Sequence, residues 1–141
     1  MNKKILIVLA NYYKDISNGL LKSALKKIPK SSYIKIIKVP GVFEIPVTIS
    51  KTSQKFDAFL ALGCVIKGQT PHFDFISQAS TNAIMDISVS QKKPVGNGII
   101  TCLNMKQAKA RKSKGAEAAK AVFSVLSQKW RLTLSLKIIL E

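Results

Sequence analysis

The stretch FDAFLALGCVI, residues 56–66, decides the fold, because apolar side chains fill almost all of its positions. A run of this kind predicts a β-strand buried on both faces, as in a parallel sheet covered by helices. Three further runs have the same character: ILIVLA (5–10), YIKIIKV (33–39) and PVGNGIITCL (94–103). The sequence therefore predicts four buried strands.

Apolar residues at helical spacing fill the segments between these strands. After the first strand a helix is predicted with Ser17 as a candidate N-cap and Pro29 as its stop. A short helix after the second strand tolerates Pro46 only if that residue lies in its first turn. The third strand is followed by a helix of about four turns over residues 73–87, and the fourth by a helix within residues 114–130.

Strands that alternate with helices imply a parallel sheet with helices on both faces. The predicted fold is thus α/β, a three-layer α/β/α sandwich around a four-stranded parallel sheet. No repeat or Pro-, Gly- and Ser-rich linker divides the chain, so residues 1–141 are predicted to form a single domain. The last stretch, RLTLSLKIILE (131–141), is predicted to be helical, although its leucines also alternate as in a strand.

The charge of the chain is strongly positive. There are 23 Lys and Arg against 7 Asp and Glu, which gives a formal net charge of +16. Such a balance suits an anionic partner such as nucleic acid, but it also fits a solvated lysine-rich surface. The basic run KQAKARKSKG (106–115) contains no aromatic residue, and no helix-turn-helix or RNP-like pattern is present. Nucleic acid is therefore an unlikely partner, although a basic nucleic-acid-binding module stays open as an alternative.

Cysteine usage and the amino terminus bear on where the protein acts. Cys64 and Cys102 lack C-x-x-C spacing, and we expect both to be buried reduced thiols in a cytoplasmic protein. The apolar run of residues 5–10 is too short for the hydrophobic region of a signal peptide. No other run approaches the roughly 18 apolar residues of a membrane span, so no membrane partner is expected.

The loop KGQT (67–70) lies where a ligand site is expected in this fold. Ligands of open parallel sheets bind outside the carboxyl ends of the strands, and this loop follows the third strand. A helix is predicted to begin at about Pro71, and its free N–H groups suit an anion. A plain N-cap by Thr70 is the equal alternative. His72, the only histidine, is either a proton-transfer group beside that anion or an exposed bystander.

Three motifs in order resemble 6,7-dimethyl-8-ribityllumazine synthase of riboflavin biosynthesis: VPGVFEIP (39–46), ALGCVIKGQTPHFDF (61–75) and KGAEAA (114–119). The resemblance covers about residues 4–125. It implies a flavodoxin-like fold and a transferase that condenses 5-amino-6-(D-ribitylamino)uracil with 3,4-dihydroxy-2-butanone 4-phosphate. Phosphate and water are released, and neither a metal nor a redox cofactor takes part. A non-catalytic relative that carries a flavin or lumazine is the alternative.

The resemblance also implies roles for individual residues. The catalytic pair is His72, for proton transfer, and Glu117, which holds the histidine. The phosphate-binding residues are Gln69, Thr70, Arg111 and Lys114. The residues that bind the ring and the ribityl chain are Tyr12, Val42, Phe43, Glu44, Cys64, Val65, Ile66 and Asn97. From the residues alone, Glu44 is as readily a helix cap as an acceptor for sugar hydroxyls.

Two features depart from the family pattern. Asn97 takes the place of an aromatic residue that covers the ring, and the connection between Arg111 and Lys114 is shorter than in many members. The family further implies a homo-oligomer, a pentamer or a shell of pentamers. In such a pentamer Asn97 and Arg111 come from the neighbour of the subunit that supplies His72.

Overall fold

The structure is a computed structural model that describes residues 2–129. The predicted helix over 131–141 lies outside the described residues. The strands are β1 (Lys4–Ala10), β2 (Tyr33–Val39), β3 (Ala58–Ile66) and β4 (Val95–Cys102). The helices are α1 (Lys14–Leu25), α2 (Ile45–Thr52), α3 (His72–Gln91), α4 (Met105–Ala110) and α5 (Lys114–Leu126), with short 3₁₀ turns at Val42–Glu44 and Ser53–Lys55.

The four strands form one parallel sheet in the order β2-β1-β3-β4. From β1 the chain first moves outward to β2, and it then crosses back to β3 on the other side of β1. The direction of winding therefore reverses between β1 and β3, and this reversal opens a crevice at the carboxyl edge of the sheet. The predicted four-stranded α/β sandwich of flavodoxin-like topology is confirmed.

The core has two layers because β1 is buried on both of its faces. Ile5, Ile7 and Leu9 face α1 and α5, whereas the alternate residues from Leu6 to Ala10 face α2 and α3. All of these side chains are at most 2% exposed. Each fully buried aliphatic side chain contributes roughly 1.5–3 kcal/mol of transfer free energy, which explains why the strand reads as an unbroken apolar run.

The prediction that β2 is buried is wrong. Tyr33, Ile34 and Ile36 are 61%, 41% and 37% exposed. The strand lies at the edge of the sheet, and the helices pack mainly on β1, β3 and β4. Apolar composition alone does not reveal whether a helix covers a given strand, so the sheet keeps an uncovered apolar edge.

The predicted start and stop of α1 also need correction. The helix begins at Lys14 with Tyr13 in the N-cap position, and it ends at Leu25, before Pro29. Ser17 is buried inside the helix, where its hydroxyl donates a hydrogen bond to the carbonyl of Ala10. The serine thus ties the helix to the end of β1 instead of capping it.

The other two helix starts are closer to prediction. Pro46 does lie in the first turn of α2, as the sequence requires. Pro71 occupies the N-cap position of α3, so that His72 is the first helical residue. That helix has 20 residues, more than the four turns predicted. None of the helices within residues 2–129 is long and apolar enough to cross a membrane.

Gly96 of β4 allows the close approach of α5 and provides a test of this packing. A Cβ atom at this position would lie 2.6 Å from the carbonyl oxygen of Ala118 and 2.8 Å from Val122. We expect Gly96→Ala to lower the free energy of unfolding by about 1–3 kcal/mol, measured by urea denaturation. Gly68→Ala, where nothing lies within 4 Å, is the control and should change little. Equal stability of the two variants would contradict the packing.

Candidate active site

A cavity of about 590 Å³ opens at the carboxyl edge of the sheet, where the winding reverses. We call it the switch-point cavity. The loops after β1, β2 and β3 form its walls because parallel strands bring these ends together. Its lining consists of Tyr12, Tyr13, Gly41, Val42, Phe43, Glu44, Cys64, Val65, Ile66, His72 and Ile76.

Two adjacent tyrosines form the wall that follows β1. Tyr12 is 75% exposed, and its ring meets that of Tyr13 edge to face, with centroids 4.8 Å apart and planes at 79°. Tyr13 packs in turn against the core on the α1 side. Burial, followed by the proximity of the ionisable groups of Tyr12 and Cys64, raises the pKa of Tyr13 above its ordinary value of 10.0. The exposed Tyr12 ring thus gives the cavity an aromatic face for a planar ligand. Tyr13 is not among the residues predicted from the sequence, although its position beside Tyr12 was a signal.

The turn after β2 supplies an aromatic ring and a carboxylate. Val42 is buried beneath the turn, while Phe43 is 65% exposed. One carboxylate oxygen of Glu44 accepts a hydrogen bond from the amide of Gly41 at 3.0 Å. The Glu44 side chain therefore caps the 3₁₀ turn Val42–Glu44 and not α2, which has no side-chain cap hydrogen bond, and it also lines the cavity.

The end of β3 forms the floor of the cavity through Cys64, Val65 and Ile66. Cys64 and Cys102 are both free and buried, as predicted. Burial, followed by the proximity of Cys102, raises the pKa of the Cys64 thiol to about 12. Cys64 therefore presents a neutral thiol and a strand backbone to a ligand, and it is not a nucleophile at neutral pH.

The loop between β3 and α3 has the features of an anion site. Its first amide, that of Lys67, donates to the carbonyl of Cys102 at 2.9 Å. The amide of His72 makes only a long contact of 3.4 Å to the hydroxyl of Thr70. Within residues 2–129 the amides of Gly68, Gln69 and Thr70 have no hydrogen-bond acceptor. Unpaired amides next to the positive end of a 20-residue helix favour an anion at this position.

A second cavity, of about 470 Å³, lies along the outer side of β4. We call it the arginine cavity. It is lined by Asn97, Ile99, Ile100, Thr101, Ala110, Arg111, Ser113, Lys114 and Glu117. The Asn97 side-chain oxygen accepts a hydrogen bond from the amide of Ile99 at 3.1 Å. The amino group of the Asn97 side chain is therefore the part that can donate a hydrogen bond to a ligand.

The charged side chains of the arginine cavity interact only weakly with one another. Lys114 and Glu117 form an ion pair at 3.9 Å, with side chains 44% and 65% exposed. Arg111 donates to the carbonyl of Gln107 at 3.3 Å, a contact that occupies one of its five N–H groups. Exposed pairs of this kind contribute little to stability, so these groups are accessible to an anionic ligand.

The predicted site residues fall into two groups within one chain. Eight of the fourteen line the switch-point cavity: Tyr12, Val42, Phe43, Glu44, Cys64, Val65, Ile66 and His72. Four line the arginine cavity: Asn97, Arg111, Lys114 and Glu117. Gln69 and Thr70 are exposed in the loop and line neither. Among residues 2–129 none lines both cavities, and His72 and Glu117 lie in different ones, so the contact expected between them is not made within a single chain.

Fold and cavities define a flavodoxin-like α/β protein with a ligand site at the carboxyl edge of its sheet. The chain belongs to the 6,7-dimethyl-8-ribityllumazine synthase family, whose model matches residues 2–129. The synthase of that name from Bartonella bacilliformis is 42% identical over 142 aligned positions, which cover 93% of each chain.

Two further relatives are similar over most of their length. The 6,7-dimethyl-8-ribityllumazine synthase 1 of Rhodopseudomonas palustris is 39% identical, with 92% of this chain and 87% of the relative aligned. The 6,7-dimethyl-8-ribityllumazine synthase of Cutibacterium acnes is 39% identical, with 88% and 80% aligned. These matches favour the enzyme family over a nucleic-acid-binding module.

The raised pKa of Cys64 makes the reactivity of its thiol testable. At pH 8 a pKa of about 12 leaves roughly one thiol in ten thousand ionised, about 1,000-fold fewer than at the ordinary value of 9.0. We expect Cys64 in the native Cys102→Ala variant to react more slowly with a thiol-specific disulfide reagent than in the same variant unfolded in guanidinium, because burial, the main cause of the raised pKa, persists without Cys102. The rate should rise about tenfold per pH unit from 8 to 10, because the reactive thiolate increases. Rapid reaction of the native protein would contradict the burial.

Proposed function

We propose that the chain catalyses the condensation of 5-amino-6-(D-ribitylamino)uracil with 3,4-dihydroxy-2-butanone 4-phosphate to 6,7-dimethyl-8-ribityllumazine, a step of riboflavin biosynthesis. The observation that carries the proposal is the switch-point cavity. An exposed aromatic face, a carboxylate and the histidine line this cavity next to a loop with unpaired amides, which supports the proposal for a chain of this family.

The switch-point cavity takes the pyrimidine. Its ring stacks on Tyr12 and is bordered by Phe43, both of which expose most of their ring surface. The backbone and side chains of residues 64–66 contact the ring edge, and the free capacity of the Glu44 carboxylate accepts hydrogen bonds from the ribityl hydroxyls. An apolar wall with few polar groups suits a planar heterocycle with one polyhydroxylated arm.

The loop before α3 takes the phosphate of the four-carbon ketone. The amides around Gln69 and Thr70 and the helix dipole face the anion, while Arg111 and Lys114 supply positive charge from the arginine cavity. His72, one residue into α3, then lies next to both substrates. It moves protons as the amine forms a Schiff base with the ketone, as phosphate leaves and as the ring closes.

We propose a homopentamer, because each of the two cavities of one chain contains only some of the residues proposed to bind the substrates and transfer protons. Glu117 and Arg111 of one subunit would then meet His72 of its neighbour. The exposed apolar residues of β2 and the exposed Met85 and Val89 of α3 support an assembly that covers them. We infer also that residues 1–141 act as one catalytic domain, and that the enzyme works in the cytoplasm, where adjacent thiols stay reduced.

The decisive experiment mixes the purified protein with both substrates and follows lumazine fluorescence together with released phosphate. Equimolar lumazine and phosphate above the uncatalysed background are expected. Tight binding of lumazine or flavin without turnover would indicate a non-catalytic carrier instead of a synthase. Absence of both turnover and binding would contradict the proposal.

His72→Ala is expected to lower the turnover number by roughly 10²- to 10⁴-fold, the range for loss of one acid–base group. The variant should keep the native mass and unfolding temperature of the wild type, because the side chain is exposed. Gln78→Ala, an exposed substitution on the same helix, is the matched control and should keep full activity. Equal turnover of the two variants would make His72 a bystander.

A site shared between subunits makes a further outcome measurable. His72→Ala and Arg111→Ala are each expected to be weakly active alone. If they are unfolded, mixed in equal amounts and refolded, about a quarter of the shared sites combine two intact halves. Activity should therefore rise to about a quarter of the wild-type value, measured per subunit. A mixture no more active than the average of its components would show that the site lies within one chain.

A further inference from the structure

The turn between α4 and α5 is short, and a cationic side chain lies at each of its ends. Residues 111–113 connect the two helices, with Arg111 at the start of the turn and Lys114 directly after it, as the first residue of α5. The turn is tight, since the amide of Lys114 donates to the carbonyl of Arg111 at 3.0 Å. Any movement of this backbone therefore displaces both cations together.

Ser23 of α1 holds this turn from outside. Its hydroxyl donates a hydrogen bond to the carbonyl of Lys112 at 2.8 Å and accepts one from the amide of Ala116 at 3.0 Å. The same hydroxyl lies 3.1 Å from the carbonyl of Leu20 in its own helix. One partly buried serine thus joins the turn, the first turn of α5 and α1.

Two glycines allow the turn to lie this close. The methylenes of the Lys112 side chain occupy the space that a Cβ atom of Gly19 would need. A Cβ atom at Gly115 would meet the carbonyl of Leu20 and lie 2.6 Å from the Ser23 hydroxyl oxygen. The surface of α1 at residues 19–23 is therefore shaped as a seat for the turn.

The side chains on the turn have little else to fix them. Within the described part of the chain, the Arg111 side chain makes one hydrogen bond of 3.3 Å to the carbonyl of Gln107, and Lys114 makes one exposed ion pair at 3.9 Å. The positions that these two side chains can adopt therefore depend mainly on the position of the turn backbone. The opposite end of α4 is fixed separately, by the cap of Asn104 on the amide of Gln107 at 2.9 Å.

We propose that Ser23 is a positioning residue for the phosphate of the ketone substrate, acting through the backbone of residues 111–116. It holds Arg111 and Lys114 where they reach the phosphate, and it contacts neither substrate. The inference rests on the proposed function. Removing the hydroxyl leaves the Lys112 carbonyl without its side-chain donor, and the turn can shift by a fraction of an ångström, which loosens a charged contact.

The test compares Ser23→Ala with Ser88→Ala in steady-state kinetics. Ser88 also donates one partly buried hydrogen bond, to the carbonyl of Lys93 at 2.9 Å, but at the amino-terminal edge of the sheet. Ser23→Ala is expected to raise the KM for the phosphorylated ketone by roughly 3- to 30-fold. The KM for the pyrimidine and the turnover number should stay near wild type, and Ser88→Ala should change none of the three. Ser23→Thr, which keeps the hydroxyl, should restore the KM.

A second measurement separates this inference from the proposed function. The dissociation constant of inorganic phosphate, determined by calorimetry without any turnover, should rise by a similar factor in Ser23→Ala and not in Ser88→Ala. If the wild type makes no lumazine, the proposed function fails while this comparison still tests Ser23. An unchanged phosphate affinity, or a KM that rises alike for both substrates, would overturn the positioning role.

Discussion

Burial of β1 on both faces is the constraint on which the rest of the structure depends. Its alternate side chains pack under α1 and α5 on one face and under α2 and α3 on the other. β2 and β3 accordingly pair with opposite edges of β1, so the direction of winding reverses beside β1. The switch-point cavity follows from this arrangement, since the loops after β1 and β3 diverge there. The ligand site is thus a consequence of how the core is covered.

Electrostatics divide the site as clearly as geometry does. The switch-point cavity is mainly apolar and aromatic, with one carboxylate and one histidine, whereas the arginine cavity contains two of the cations proposed for phosphate binding. The cations of this separate cavity stay available to a ligand, because the exposed ion pair between Lys114 and Glu117 is weak. Under the proposed assembly, contact with a neighbour removes water from both halves at once and strengthens each charged contact. Catalytic competence would then depend on oligomerisation.

The basic composition has a local meaning around the turn after α4. Most of the lysines within residues 2–129 lie on exposed surfaces, where positive charge favours solubility. Around the turn after α4, by contrast, Gly19 of α1 and Gly115 of α5 allow a close approach, and Ser23 of α1 holds the backbone of the turn. A shortened connection needs such an anchor, because fewer residues are available to adjust the position of its side chains.

The sequence by itself determined the four strands, the parallel sheet and most of the residues at its carboxyl edge. Continuous apolar runs predict the strands of a parallel sheet, and parallel strands place the residues that follow them at one edge. It also pointed to His72 and to the cap by Glu44. Exact helix starts were less predictable, since Ser17 satisfies its hydroxyl on Ala10 instead of capping a helix.

Only the tertiary structure decided that β2 is uncovered, that His72 and Glu117 lie in different cavities of one chain, and that Ser23 reaches residues about ninety positions away. The physical reason is common to all three. Each depends on which surfaces meet after the elements have packed, and local periodicity contains no information about such long-range partners.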